Sequence, residues 1–103
     1  MATIDAAELL PSERLKRAVL EGEITQLHRG DEHATEGDRF EIDDAVFEVT
    51  TVREERLGDL TDEDARAEGS PTLEAYKQRI ERTHDVTWDD DDTAVLHQFE
   101  RVQ

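Results

Sequence analysis

The densest group of basic side chains lies near the start of the chain and consists of Arg14, Lys16 and Arg17. Arginine and lysine donate charge-assisted hydrogen bonds to phosphate oxygens, so this group could hold a phosphate backbone. The same residues also fit a solvated helix face on which Glu13 and Glu21 balance their charge. We favour the second interpretation, and the first stays open.

Two histidines and two carboxylates also lie close together, namely His28, Asp31, Glu32 and His33. All three residue types can bind metals, but the spacing of the four residues matches no recognised ligand pattern and the chain contains no cysteine. We therefore expect no metal site and no cofactor. We expect His28 to be a packed or solvated imidazole rather than a catalytic one.

Tyr76 and Trp88 are the two aromatic residues that carry a polar atom, and either could stack on a nucleobase. Tyr76 falls on the apolar face of a predicted helix, which favours a place in the core. Trp88 precedes a run of four aspartates, and it fits either the edge of a cleft or the end of a barrel.

Local sequence signals predict the elements that must position these side chains. Residues 1–11 are expected to be a flexible lead-in, and residues 12–103 a single domain. Short alternating strands separated by few helices favour an α+β fold with a curled, barrel-like sheet. The predicted elements are a helix from Ser12 to Gly22, strands over 24–29, 39–42 and 46–53, a helix from Thr61 to Gly69, a helix starting at Ser70-Pro71, and a strand over 93–102.

The charge balance is strongly acidic, with 28 acidic and 12 basic residues and a formal net charge of −16. Such a composition suits a disordered chain, an acidic decoy for a basic partner, or a folded protein of a halophilic archaeon. We favour the last, because the apolar residues fall in periodic segments. In ~1 M salt the Debye length is about 3 Å, so surface carboxylates repel one another little.

Composition also limits the reaction chemistry and the cellular location. Without cysteine the chain has no disulfide and no thiolate nucleophile. No apolar run approaches the ~18 residues that a membrane span requires. The first residues lack the basic and apolar regions of a signal peptide, so we expect a cytoplasmic protein that does not bind membranes. We also expect the protein to be a monomer.

Three segments in order, 22–29, Gly37-Asp38 and 60–69, resemble the motifs of the ASCH domain, a small barrel of the PUA-like group. The first strand of that family often follows Gly-x-Lys-x-x-Glu-x-Arg, or the same pattern with Thr in place of Glu. Gly22 and Arg29 stand at the matching spacing, and Glu68 matches the family's helix glutamate. The resemblance covers about residues 12–102. It implies an RNA- or nucleotide-sized ligand in one cleft.

One bacterial branch of the family cleaves the amide of acylated cytidine, with a Lys, a Thr and a Glu as its proposed machinery. These positions fall on Ile24, Leu27 and Glu68. Ile24 has no amine and Leu27 no hydroxyl, so neither can attack a carbonyl or transfer a proton. Glu68 is the one remaining catalytic candidate. The resemblance therefore implies non-catalytic binding, with a hydrolase of the amidohydrolase or ribonuclease type as the alternative.

The resemblance implies that Arg29 and Glu68 are central to the cleft. The guanidinium of Arg29 can bind a phosphate or a base edge with two hydrogen bonds, or it can form an ion pair with Glu68. Glu68 can accept from the exocyclic amine of a base, or it can merely hold Arg29 in place. A third function is contact between the acidic surface and a basic protein. The further candidates for ligand binding are Arg14, Lys16, Arg17 and Gly22.

Overall fold

The computed structural model of the protein describes residues 3–103, apart from the side chain of His84. Four strands form one antiparallel sheet in the order β1-β4-β3-β2. A shift of register between Val49 and Thr51 marks a β-bulge, which bends β3 and helps to curl the sheet. The predicted α+β class with a curled sheet is confirmed. The elements are α1 (Ala6–Leu9), α2 (Glu13–Leu20), β1 (Gln26–Arg29), β2 (Arg39–Ile42), β3 (Ala45–Arg56), a 3-10 turn (Leu57–Asp59), α3 (Asp62–Ala67), α4 (Leu73–His84) and β4 (Thr93–Arg101).

The hairpin of β2 and β3 forms the centre of the larger core. Its turn contains Asp43 at a φ of 53°, a left-handed conformation that aspartate tolerates better than most residues. Phe40 pairs with Phe47 across the hairpin, and their rings stack at 5.4 Å. Phe99 of β4 meets Phe40 edge to face at 5.6 Å. All three rings are buried, so the observed register places the aromatic face of the hairpin inward.

The segment predicted as a lead-in, residues 1–11, contains α1 and contributes to the core. Asp5 accepts a hydrogen bond from Ala7 and so caps this short helix. Leu9 and Leu10 are both fully buried in the larger core. The apolar pair immediately before Pro11 is the sequence signal for this packing.

A smaller core forms between α3 and α4. It contains buried Leu60, Ala65 and Tyr76, against which Ile80 and Trp88 pack. α4 begins at Leu73, two residues after the predicted start at Pro71, because Thr72 is the N-cap and accepts from the amide of Ala75. At 12 residues it is one of the longer elements, and within the described residues no helix is long and apolar enough to cross a membrane.

A capping box fixes the start of α3, as the sequence predicts for Thr61. Its hydroxyl accepts from the amide of Asp64 at 3.3 Å, and the Asp64 carboxylate accepts from the amide of Thr61 at 3.0 Å. Asp64 also accepts from Gln26 of β1, so the cap ties the helix to the sheet. The cap therefore helps to hold α3 against β1.

Substituting Thr61→Ala should lower the free energy of unfolding by about 1 kcal/mol, because one helix-end amide loses its acceptor. Urea unfolding followed by circular dichroism measures the change. Glu63→Ala is the matched control, since Glu63 is exposed on the same helix turn and should change stability by at most about 0.5 kcal/mol. Equal effects of the two substitutions would contradict the capping role.

Candidate functional site

A cleft of about 560 Å³ lies between α2, β1, α4 and the end of α3. Clefts that enclose small organic ligands are typically about 300–1,000 Å³, so this one has a suitable size. Its apolar lining comes from all of these elements except α3. The residues concerned are Leu15, Ala18, Ile24, Leu27 and Ile80.

Four arginine side chains line the same cleft: Arg14 and Arg17 of α2, Arg29 of β1 and Arg79 of α4. Arg14 and Arg17 are three residues apart, which places them on one face of α2. Arg29 donates from Nη1 to the carbonyl of Leu9 at 2.7 Å. Among residues 3–103, none of the four guanidinium groups forms an ion pair with a carboxylate. Their charge is therefore available to an anionic ligand.

Arg79 has a second set of contacts that fixes its side chain. Its guanidinium carbon lies 5.3 Å from the centre of the Tyr76 ring, a cation–π distance. Its Nη2 donates to the backbone carbonyl of Glu68 at 3.2 Å. The sequence reasoning did not identify Arg79, because only the packing of α4 against α3 brings it to the cleft.

Two of the sequence-predicted binding residues, Lys16 and Gly22, do not line this cleft. Lys16 forms an ion pair with Glu13 at 3.3 Å, because it lies on a different face of α2 from Arg14 and Arg17. Gly22 follows the end of α2 with a φ of 80°, a conformation that favours glycine. It borders a separate depression of about 310 Å³.

Glu68 is fully buried and accepts four hydrogen bonds. Its Oε1 accepts from the amide of His28 at 3.0 Å and from the hydroxyl of Tyr76 at 3.0 Å. Its Oε2 accepts from Nδ1 of His28 at 2.6 Å and from Nε2 of Gln26 at 3.2 Å. A carboxylate has about four acceptor positions, so Glu68 is saturated by the protein itself.

The ion pair of Arg29 with Glu68, an alternative that the sequence left open, does not form. Side chains alternate along β1, so His28 points to Glu68 while Arg29 points to the other face. Arg29 instead contacts the carbonyl of Leu9. The role of Glu68 as a clamp on Arg29 is therefore wrong, and Glu68 organises the inner wall of the cleft.

His28 bridges two carboxylates and is packed, as the sequence analysis expected. Its Nδ1 contacts Glu68, and its Nε2 lies 2.9 Å from Oε1 of Glu55 on β3. Its side chain is only 2% exposed. Burial by itself lowers the pKa of His28, but the hydrogen bonds and charges of Glu68 and Glu55 outweigh burial and raise it above its ordinary value. A carboxylate only accepts hydrogen bonds, so the contact of both ring nitrogens with carboxylates fits the imidazolium form, in which both nitrogens donate.

The loop residues that could have formed a metal site with His28 have other surroundings. The amide of His33 donates to Nε2 of buried His97 at 3.1 Å, while Asp31 and Glu32 are exposed. Burial lowers the pKa of His97, which fits a neutral ring that accepts this hydrogen bond. Within the described part of the chain, no three histidine, aspartate or glutamate side chains converge as metal ligands.

The sequence matches no protein-family model and no curated protein. The fold does have solved counterparts. The ASCH domain from Lactobacillus crispatus JV V101 superposes with a TM-score of 0.66 over 97% of this chain and 78% of that chain, at 15% identity. The chain has the ASCH fold. Protein EF3133 from Enterococcus faecalis V583, of family DUF984, superposes with a TM-score of 0.58 over 86% of this chain and 67% of that chain, at 20% identity.

The two longer segments that resemble ASCH motifs, 22–29 and 60–69, both contribute to the cleft of this ASCH fold. Ile24 and Leu27 of the first segment are 5% and 8% exposed and belong to its apolar lining. Glu68 and Gly69 of the second border the same space. The positions that carry an amine and a hydroxyl in the amidohydrolase branch thus present only hydrocarbon to the cleft here.

Proposed function

We propose that the cleft binds RNA or a nucleotide-like ligand through its phosphate and leaves the ligand chemically unchanged. The observation that carries this proposal is the convergence on one cleft of four arginines that have no carboxylate partner within residues 3–103. A guanidinium matches the geometry of phosphate oxygens and stays charged at every physiological pH. The ASCH domain of Lactobacillus crispatus has the same fold, which supports the proposal only at the level of the fold.

The local charge at the cleft differs from that of the whole chain. Acidic residues outnumber basic ones by 28 to 12 overall, whereas four arginines and three glutamates line the cleft. One of those glutamates, Glu68, is saturated by hydrogen bonds from the protein. In a chain with a net charge of −16, this site favours an anion at short range.

The polar groups along the inner wall favour binding over catalysis. Each ring nitrogen of His28 already contacts a carboxylate, so neither is free to exchange a proton with a ligand. The hydroxyl of Tyr76 donates to Glu68, and burial followed by the charge of Glu68 raises the pKa of Tyr76. With Ile24 and Leu27 in the lining, these wall positions supply no activated nucleophile.

The double substitution Arg14→Ala/Arg17→Ala should weaken the binding of cytidine monophosphate and of a short RNA about tenfold. Two exposed charge-assisted contacts together supply about 1.4 kcal/mol, which corresponds to that factor. Isothermal titration calorimetry in about 1 M KCl measures the affinity where long-range attraction and repulsion are screened. Both side chains are exposed and have no ion pair in the described residues, so the fold should be unaffected.

The matched control is Arg66→Ala/Arg82→Ala, which removes the same amount of charge from exposed positions outside the cleft. The proposal expects its affinity to equal that of the wild type. Equal losses in the two variants would show that overall charge governs binding, and the proposed cleft would then be wrong. Chromatography of the same samples for cleavage products separates binding from the hydrolase alternative.

A basic protein partner would give a different salt dependence. Its binding to the acidic surface should weaken steeply between low salt and about 1 M KCl, because surface charges are then screened within about 3 Å. Binding in the cleft combines short-range hydrogen bonds with apolar contacts, so it should lose less. Titration at both salt concentrations distinguishes these functions.

A further inference from the structure

The polar side chains on the inner wall of the cleft direct their hydrogen bonds at other groups of the protein rather than into the cleft. Glu68 accepts four hydrogen bonds, and both nitrogens of His28 are occupied. Tyr76 has its hydroxyl proton directed at Glu68. In the described residues, every buried side-chain nitrogen and oxygen has a partner. The protein itself therefore supplies a hydrogen-bond partner for each buried polar side chain of this wall.

The remaining inner lining is hydrocarbon. Ile24 and Leu27 border the cleft at one side, Leu15 and Ala18 face it from α2, and Ile80 faces it from α4. A polar group of a ligand placed against these side chains would lose its hydrogen bonds to water without replacement. A flat ring would lose only apolar contact with water, so its burial is favourable.

The charged groups that can hold an anion lie around this lining. Arg14 and Arg17 are exposed, Arg29 is half-buried, and all three border the cleft. A ligand that contacts both the arginines and the apolar lining must carry a phosphate for the arginines and an apolar ring face for the lining. Its polar ring edge must stay towards the opening, where water can bond to it.

We propose that the cleft recognises a phosphomonoester that carries an aromatic ring, and that it holds the ring by apolar contact rather than by hydrogen bonds to the ring edge. This inference rests on the proposed function and names its ligand class. Affinity then depends on the presence and size of the ring and little on the identity of a base. The site accordingly accepts nucleotides with different bases and also simple aryl phosphates.

The test is a titration of the wild-type protein with phosphates that differ in one feature each, followed by calorimetry or NMR. Phenyl phosphate should bind at least about tenfold more tightly than ribose 5-phosphate, because only the first carries an aromatic ring. Adenosine and inosine monophosphates have rings of equal size and opposite hydrogen-bonding edges. Their affinities should agree within about threefold.

Leu27→Asn supplies a second measurement, because asparagine has nearly the shape of leucine but a polar end. The substitution should weaken the binding of phenyl phosphate and leave the affinities for inorganic phosphate and ribose 5-phosphate unchanged. Leu60→Asn is the control for lost stability, since Leu60 is equally buried in the smaller core and does not line the cleft. The ligand series on the wild type remains decisive if either variant fails to fold.

The outcomes separate the inference from the function on which it rests. If ribose 5-phosphate binds as tightly as phenyl phosphate, or if adenosine and inosine monophosphates differ about tenfold, the inference is wrong while phosphate binding stands. If no phosphate, nucleotide or short RNA binds, the proposed function itself is wrong. Tight binding of phenyl phosphate with equal affinities for the two purine nucleotides supports the inference.

Discussion

Replacing Glu68 with alanine is expected to lower the free energy of unfolding by about 3–5 kcal/mol, because it removes one partner of a buried ion pair. Four hydrogen bonds to Glu68 are lost at once. They are donated by the backbone amide and Nδ1 of His28, the side-chain Nε2 of Gln26 and the hydroxyl of Tyr76. Each of these groups is shielded from water, so none recovers a full hydrogen bond. The imidazolium of His28 keeps only Glu55 as a counter-charge.

Urea unfolding in about 1 M KCl measures this loss at an ionic strength where surface repulsion is screened. Glu68→Gln is a milder variant for comparison. It keeps the shape of the side chain but replaces one accepting oxygen by an NH2 group, which then faces the donors of neighbouring residues. Its loss should be smaller than that of Glu68→Ala and still exceed about 1 kcal/mol. Glu63→Ala, an exposed position in α3, provides the control. A loss below about 1 kcal/mol for Glu68→Ala would contradict the saturated carboxylate.

Much of the fold follows from local signals because those signals act within a few residues. Ser12 caps α2 and Thr61 caps α3, as their side-chain oxygens and positions predict. The alternation of apolar residues predicts the β2–β3 hairpin, and Phe40 and Phe47 pair across it. Gly69 ends α3 with a φ of 91°, which agrees with its predicted role as a helix terminator.

The candidate site was harder to predict because its contacts join distant parts of the chain. Glu68 is 40 positions from His28, and no local rule selects this pair among 28 acidic residues. The structure supplies what the sequence lacks, because Glu68 follows Ala65 by three residues and Ala65 is 1% exposed. Residues three apart share a helix face, so the buried alanine indicates that this glutamate points inward.

The arginines illustrate the same limit. Arg14 and Arg17 could be assigned to one face of α2 from their spacing alone, and Arg29 was selected by the resemblance to a motif. Arg79 carried no comparable signal, because the cleft exists only after α4 has packed beside α2 and β1. Lys16 forms an ion pair with Glu13 instead, because closeness in sequence to Arg14 and Arg17 does not place a residue on the same helix face.

The pH dependence of stability should reveal the imidazolium of His28. Its pKa is raised in the fold by Glu68 and Glu55 against the effect of burial, so the folded state binds the proton more tightly than the unfolded state. The resulting stabilisation is complete below an unfolded pKa of about 6.5 and is lost as pH rises through the raised folded pKa. Each unit of that rise contributes about 1.4 kcal/mol. The free energy of unfolding should therefore fall as pH rises above about 6.5 and through the folded pKa of His28.

The variant His28→Gln tests whether His28 causes this pH dependence. At a pH of about 6 it should lose about 3 kcal/mol, because Glu68 and Glu55 then lack their shared cation. The decline of its free energy of unfolding with rising pH should also disappear, because glutamine does not titrate. His97 provides the internal contrast: its pKa is lowered by burial, so its contribution is present above about 6.5 and is lost as pH falls. If the free energy of unfolding of His28→Gln still falls with rising pH, another group causes the fall. That result would contradict an imidazolium held between two carboxylates.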